Sequence, residues 1–139
     1  MTKQTDYAIR ALLHLARANG VCVSTRRLAT EEGIPLPFLR RIARVLVAAG
    51  WVHAREGVHG GLRLVVPPRK IRLTQVIELM QGRLQLSECL FRKRLCQNRA
   101  HCVLRHRIMR IEQLVTRAFA RVTLDTLLRD MKKTGRLPQ

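Results

Sequence analysis

Near Gly50 the apolar residues of this chain change their period, and that change restricts the possible folds more than any other feature. Before it they recur every three or four positions, as on the buried stripe of a helix. After it, Trp51-Val52 and Leu62-Arg63-Leu64-Val65-Val66 flank the run Glu56-Gly57-Val58-His59-Gly60-Gly61. Two strand-like runs about a glycine-rich turn predict a β-hairpin, which Pro67-Pro68 closes. Upstream, Ile9, Leu12, Leu13 and Ala16 predict a first helix from Tyr7 to Ala18, ended by Asn19-Gly20. Ser24 suits the N-cap of a short second helix, Thr25 to Glu32, which Gly33 breaks. Leu36-Pro37 opens a third, with Phe38, Leu39, Ile42, Val45, Leu46 and Ala49 inward and Gly50 as its stop. Three short helices, the second pair joined by a tight glycine turn, followed by a hairpin: this is the order of a winged helix-turn-helix.

Beyond the hairpin a fourth helix is predicted from about Leu73 to Gln81, with Thr74 near its start. Ser87 to Cys102 fits no clean period and reads as a loop. Leu104, Ile108, Ile111, Leu114, Val115, Ala118 and Phe119 mark a long helix from Val103 to Val122, about 30 Å at 1.5 Å per residue. An apolar stripe of that length on so small a domain predicts a helix that packs on a second copy. A last short helix, capped by Thr123 or Asp125, is expected to end near Met131. The tail from Lys132 to Gln139 reads as frayed. The fold class is therefore mainly α, a winged helix-turn-helix with a small β-hairpin wing and a long C-terminal dimerisation helix.

Charge points to the partner. The 139 residues suffice for one ordinary domain with a helical arm. At 47% hydrophobic but only 4% aromatic, the core has to be aliphatic. Lys and Arg total 27 against 9 acids, a formal charge of +18, and such a surface attracts phosphate polymers. No stretch approaches the roughly 20 apolar residues needed to span a bilayer, and no signal peptide is visible. The expectation is a cytoplasmic protein without a membrane partner. From Leu36 to Arg72 there are eight basic residues (Arg40, Arg41, Arg44, Arg55, Arg63, Arg69, Lys70, Arg72) and one acid, Glu56. Arg40, Arg41 and Arg44 stand away from the apolar stripe of the third helix, which in this topology enters the major groove. Thr25 and Arg26, Pro37, and Arg55 and His59 in the wing complete the candidate DNA-binding set.

In a reducing compartment Cys22, Cys89, Cys96 and Cys102 are poor disulfide candidates and better metal-ligand candidates. Cys22 stands alone after the first helix and reads as structural. Six residues separate Cys89 from Cys96 and five separate Cys96 from Cys102, wider than the Cys-x-x-Cys knuckle of structural zinc. Three thiolates so spaced can surround an iron–sulfur cluster; the alternative is incidental thiols, some buried as small hydrophobes. Arg92, Lys93, Arg94, Arg99 and Arg105 would offset the negative charge of a thiolate-ligated cluster.

Over nearly its full length the chain resembles the bacterial Rrf2 family of winged-helix regulators. The resemblance is carried by Thr5-Asp6-Tyr7-Ala8-Ile9-Arg10-Ala11-Leu12, by Gly33-Ile34-Pro35-Leu36-Pro37-Phe38-Leu39, and by Gly57-Val58-His59-Gly60-Gly61-Leu62-Arg63-Leu64. It continues in Leu73-Thr74-Gln75-Val76-Ile77-Glu78, in Glu88-Cys89-Leu90 through Cys96 to Cys102-Val103-Leu104-Arg105, and in Thr123-Leu124-Asp125-Thr126-Leu127-Leu128. The resemblance implies a homodimer that binds palindromic promoter DNA, acting as a repressor. It implies a cluster, 4Fe-4S in preference to 2Fe-2S, held by Cys89, Cys96 and Cys102 and sensing nitric oxide, oxidants or cluster supply. The IscR-like branch places a histidine just after the third cysteine, where this chain has Arg105 and then His106. The NsrR-like branch is the nearer match, because its fourth ligand can be an acid near the N-terminus, matching Asp6. Asp6 could instead cap the first helix, and His101 and His106 are the substitute ligands. In the wing many members have an arginine before the glycine at Gly57; here Glu56 occupies it, leaving Arg55 or His59 for that contact.

The resemblance divides the chain into a DNA-binding domain over 1–70, a cluster-binding loop and dimerisation helices over 71–131, and a tail over 132–139. The alternative function is a cluster-free DNA-binding regulator that uses its thiols as a redox switch. An enzyme is not expected: paired carboxylates and a phosphate-cradling glycine loop are missing, and His14, His53, His59, His101 and His106 are scattered. His14 reads as a surface or interface residue. The shortage of stacking aromatics counts against single-stranded RNA.

Overall fold

Most of the described helices start where a side chain can satisfy amides that have no partner inside the helix. In the computed structural model, which describes residues 1–83 and 101–135, helix α1 spans Lys3–Arg17. It begins four residues before Tyr7 because Thr2, not a residue of the apolar stripe, supplies the cap: its Oγ accepts from the Thr5 amide at 3.3 Å. Helix α2 (Thr25–Glu32) is capped as expected, Ser24 Oγ accepting from the Arg27 amide at 3.2 Å, and stops at left-handed Gly33. Helix α3 (Leu36–Ala48) carries Pro37 in its first turn. Strands β1 (Val52–Arg55) and β2 (Gly61–Leu64) form an antiparallel hairpin with Val52 opposite Leu64 and Arg55 opposite Gly61. After a single helical turn at Pro68–Lys70 come α4 (Leu73–Gln81), α5 (Val103–Arg121) and α6 (Leu124–Thr134). The winged helix-turn-helix is present.

The wing is bolted to the helices through backbone. Val23, between α1 and α2, exchanges two hydrogen bonds with Leu62 of β2, at 2.9 and 2.8 Å. Gly61 allows this approach, and Gly60 allows the turn of the wing itself. A Cβ on Gly61, whose φ is +149°, would lie 2.3 Å from the Val23 carbonyl oxygen. A Cβ on Gly60 would lie 2.2 Å from the Arg55 carbonyl oxygen. Both values are below any tolerable contact, so the glycines here answer a steric need as well as a turn.

The core is aliphatic, as the composition requires. Leu12 and Leu15 from α1, Leu28 from α2, Leu39, Ile42 and Leu46 from α3, and Val52 and Leu62 from the hairpin are buried together. The same cluster continues past residue 70, taking in Ile71, Val76 of α4 and Leu124 of α6. Backbone bonds stitch these pieces: the Leu73 amide donates to the Val122 carbonyl at 2.9 Å, and the Leu124 amide donates to that of Ile71 at 3.0 Å. α6 begins on Thr123, which trades hydrogen bonds with Thr126, while Asp125 pairs with Arg129. It runs through Thr134 to left-handed Gly135. Lys132 and Lys133 therefore belong to a helix, not to a frayed tail, because Asp130 and Met131 carbonyls are still accepting from the Thr134 hydroxyl. The loop expected over Ser87 to Cys102 falls, up to residue 100, outside the described residues, as do 136–139. No described helix is long and apolar enough to cross a membrane.

Candidate nucleic-acid interface and cluster ligands

Burial of Leu39, Ile42, Ala43 and Leu46 turns the opposite side of α3 outward, with Pro37, Arg40, Arg41 and Arg44 on it. Arg40, Arg41 and Arg44 are exposed and Pro37 lies at the start of the helix. Arg40 and Arg44 stand one turn apart, with no ion pair among the described residues. Arg41 is different. Its guanidinium lies over the Phe38 ring, 5.0 Å from the centroid, and Phe38 meets Tyr7 of α1 edge-on at 6.2 Å. Gln4, with its side-chain oxygen toward Arg41, accepts from Nε and Nη2 at 3.0 and 2.7 Å. Sequence spacing groups the three arginines; the structure ties one of them to the first turn of α1 and leaves the other two unpaired among the described residues. Thr25 is half-buried and Arg26 exposed at the start of α2, where Arg26 shares a shallow groove with Pro35 and Leu36. Arg55 and His59 are exposed on the wing. Val58, at the wing tip, is 98% exposed. The only signal for it in the sequence is an apolar residue inside a glycine-rich turn.

A polar assembly beneath this surface escaped the sequence reading. Glu32, the last residue of α2, is 3% exposed. Arg10, His14 and Arg17 of α1 converge on it: Arg10 Nε is 3.6 Å from Oε2, His14 Nδ1 is 2.7 Å from Oε1, and Arg17 Nη2 donates to Oε1 at 3.2 Å. Arg10 Nη2 also donates to the Glu32 carbonyl. His14 is therefore a half-buried link between helices, in place of the surface or interface residue expected. Its Nε2 lies 3.3 Å from Glu31. Arg27 Nε donates to Glu31 at 2.6 Å, and this hydrogen bond holds the Glu31 carboxyl below the usual carboxylate range. The order of groups fixes α1 against the end of α2, immediately before the turn into α3.

Of the expected cluster ligands, Cys89 and Cys96 lie outside the described residues. Cys102 is the N-cap of α5, and its Sγ accepts from the Arg105 amide at 3.5 Å. Cysteine sulfur is the usual protein ligand of an iron–sulfur cluster, and Cys102 is only half-buried, so this residue fits a cluster ligand. Asp6 is not before α1 and does not cap it; Thr2 does, and Asp6 sits exposed in the first turn, 3.8 Å from Arg10. That leaves its carboxylate accessible. His101 and His106 are exposed at and after the start of α5. Among the described residues no three His, Cys, Asp or Glu side chains are grouped to hold a metal.

α5 buries none of its residues fully. Leu104, Ile111 and Leu114 are 56, 52 and 62% exposed, and Ala118 is exposed with them. Ile108 and Val115 are half-buried. Phe119 departs from the expected outward stripe: it lines a cleft against α4 with Thr74, Ile77, Glu112 and Thr116. Val103, omitted from the stripe, is 75% exposed.

A helix-turn-helix with an arginine-bearing second helix and a docked two-stranded wing defines the class: a winged-helix protein. Within that class, the Rrf2 family model, described as iron-dependent transcriptional regulator, matches residues 1–130. The chain belongs to the Rrf2 family, whose members are transcriptional regulators and not enzymes. Protein aau3 of Rhizobium meliloti is 37% identical over 90 residues, 64% of this chain and 58% of that protein. The HTH-type transcriptional regulator NsrR of Halalkalibacterium halodurans is 31% identical over 90 residues, covering 64% of this chain and 62% of its own. The matches thus span about three-fifths of these two relatives. The structure of T. potens IscR superposes with a TM-score of 0.78 at 22% identity, over 100% of this chain and 93% of that one.

Proposed function

We propose that this chain is a DNA-binding transcriptional repressor, working as a homodimer, whose hold on promoter DNA is controlled by an iron–sulfur cluster. The observation that carries the DNA part is the pair Arg40 and Arg44, exposed on the outward face of the second helix of the motif. Thr25, Arg26 and Pro37 flank it, and Arg55 and His59 offer backbone contacts from the wing. Phosphate contacts of this kind position the protein, and base contacts in the groove specify the site. A second copy would pack along Leu104, Ile108, Ile111, Leu114, Val115 and Ala118 of α5, setting two reading heads a helical turn or a multiple apart on a palindrome.

Cys102 supports the regulatory part, with Cys89 and Cys96 as the other thiolates and Asp6 as the fourth ligand. A 4Fe-4S cluster so held would have one iron bound by a carboxylate, a weaker ligand than thiolate, and would supply reactivity toward nitric oxide or oxidants. Asp6 shares the first turn of α1 with Gln4, and Gln4 holds Arg41 of α3. Whatever draws on Asp6 therefore pulls on the helix that reads DNA.

The test is an anaerobic preparation of the full chain and of its Asp6→Ala and Cys102→Ser variants. Expected are a coloured, cluster-bearing wild type, an altered Mössbauer spectrum in Asp6→Ala with DNA release uncoupled from nitric oxide, and a colourless Cys102→Ser. A colourless wild type whose DNA binding follows thiol oxidation replaces the cluster with a thiol switch. An unchanged Asp6→Ala spectrum moves the fourth ligand to His101 or His106.

A further inference from the structure

Helix α5 has three faces. One, with Phe119, Thr116 and Glu112, is turned to α4. A second carries the exposed Leu104, Ile111, Leu114 and Ala118. At 3.6 residues per turn, the third lies about a third of a turn from both and carries His106, Arg110, Gln113, Arg117 and Arg121, spaced four, three, four and four residues. All five are exposed. Arg110, Arg117 and Arg121 have no acidic partner among the described residues. Glu112 is the single acid in a helix with five arginines, and it lies on the α4 side. Neither the packing on α4 nor a second copy on the apolar face would cover this ridge.

A row of like charges at helical spacing works against the helix that carries it, and a bound polyanion removes that penalty. The row is also linear: from His106 to Arg121 it extends about 22 Å at 1.5 Å per residue. A DNA duplex presents one phosphate per roughly 1.7 Å of axis, so a duplex lying along α5 meets about a dozen charges. Compact anions match one or two of these arginines; a duplex backbone matches the row.

We propose that the α5 ridge is a second phosphate-binding surface, which grips a DNA duplex other than the one read by α3. The ridge itself does not rest on the reading of α3; the tethering of two duplexes by one dimer does. The full chain is compared with a ridge variant, R110Q/R117Q/R121Q, and a head variant, Arg40→Ala/Arg44→Ala. Glutamine keeps good helix propensity, and far-UV circular dichroism with the single Arg117→Gln variant controls for folding. On a short random-sequence duplex, loss of the three phosphate contacts made by the one ridge it occupies should flatten the plot of log affinity against log salt by about 2.7. A bead-bound duplex should capture a second, fluorescent duplex through the wild type and not through the ridge variant. The head variant should lose tethering but keep the ridge-dependent part of the salt slope, which separates failure of the α3 reading from failure of this one. An unchanged slope with full tethering in the ridge variant overturns the proposal. So does ridge-dependent binding of phosphatidylglycerol vesicles by a chain whose duplex binding ignores the ridge.

Discussion

Replacing Glu32 with glutamine should weaken the fold more than any other exchange of a charged residue for a neutral one among the described residues. The Glu32 side chain is 4% exposed and its carboxylate faces Arg10, His14 and Arg17, whose side chains are 39, 13 and 31% exposed. Removing one member of a buried ion pair costs about 3–5 kcal/mol, because the partner's charge stays behind. Here the two arginines are about a third exposed and can turn to water, so screening reduces the figure. Hydrogen bonds to charged groups are worth about 1.5–3 kcal/mol, and the amide oxygen of the new glutamine can still accept from one donor. These considerations place the loss near 2–3 kcal/mol, a fall in melting temperature of roughly 6–12 °C for a chain of this size. Thermal melts followed by circular dichroism measure it, with Glu31→Gln as the exposed control. A double-mutant cycle with Arg17→Ala should show coupling of about 0.5 kcal/mol or more. If Glu32→Gln and Glu31→Gln melt together, the convergence of α1 on the end of α2 contributes no stability and the reasoning fails.

Three further outcomes follow from the geometry. Gly61→Ala drives a Cβ to 2.3 Å from the Val23 carbonyl; strain of this kind costs about 2 kcal/mol or more, and amide exchange at Val23 and Leu62 should quicken first, whereas protected amides would show that the strand can shift. If Arg40 and Arg44 each hold a phosphate, Arg40→Ala/Arg44→Ala removes two contacts per protomer, four per dimer, and lowers the salt slope of promoter binding by about 3.6; an unaltered slope removes α3 from the interface. Ile111→Glu sets like charges across a two-fold contact, so sedimentation should report monomers that bind DNA weakly, and a surviving dimer would put the interface elsewhere.

The helix-turn-helix and its wing were legible because each depends on local chemistry. Ser24 before Thr25, Gly33 after Glu32 and the alternation around Gly57 to Gly61 act within a few residues, and the structure follows them. The start of α1 was missed because apolar spacing begins at Tyr7, whereas the helix is begun by the hydroxyl of Thr2. Glu32 was missed for a related reason. Glu31-Glu32 resembles the solvated end of a helix, and what buries the second acid is a stripe on a different helix, Arg10, His14 and Arg17, at spacings of four and three. That basic stripe is visible in the sequence; its partner is set only by packing. Arg41 repeats the lesson, since nothing local announces that Gln4 and Phe38 will hold it.

Leu124, fully buried in the core with α1, α3 and the hairpin, sets a clock on the birth of the protein. The chain emerges from the ribosome N-terminus first, at about 5–20 residues per second. When Val76 has appeared, every other buried member of the cluster is present, yet Leu124 is about 50 residues away. Translation supplies it some 2–10 seconds later at that pace. Until then the buried cluster that includes Leu12, Ile71 and Val76 lacks one of its members. In limited proteolysis a released chain truncated after Val122 should be cut within α1 to α3 far sooner than the full chain.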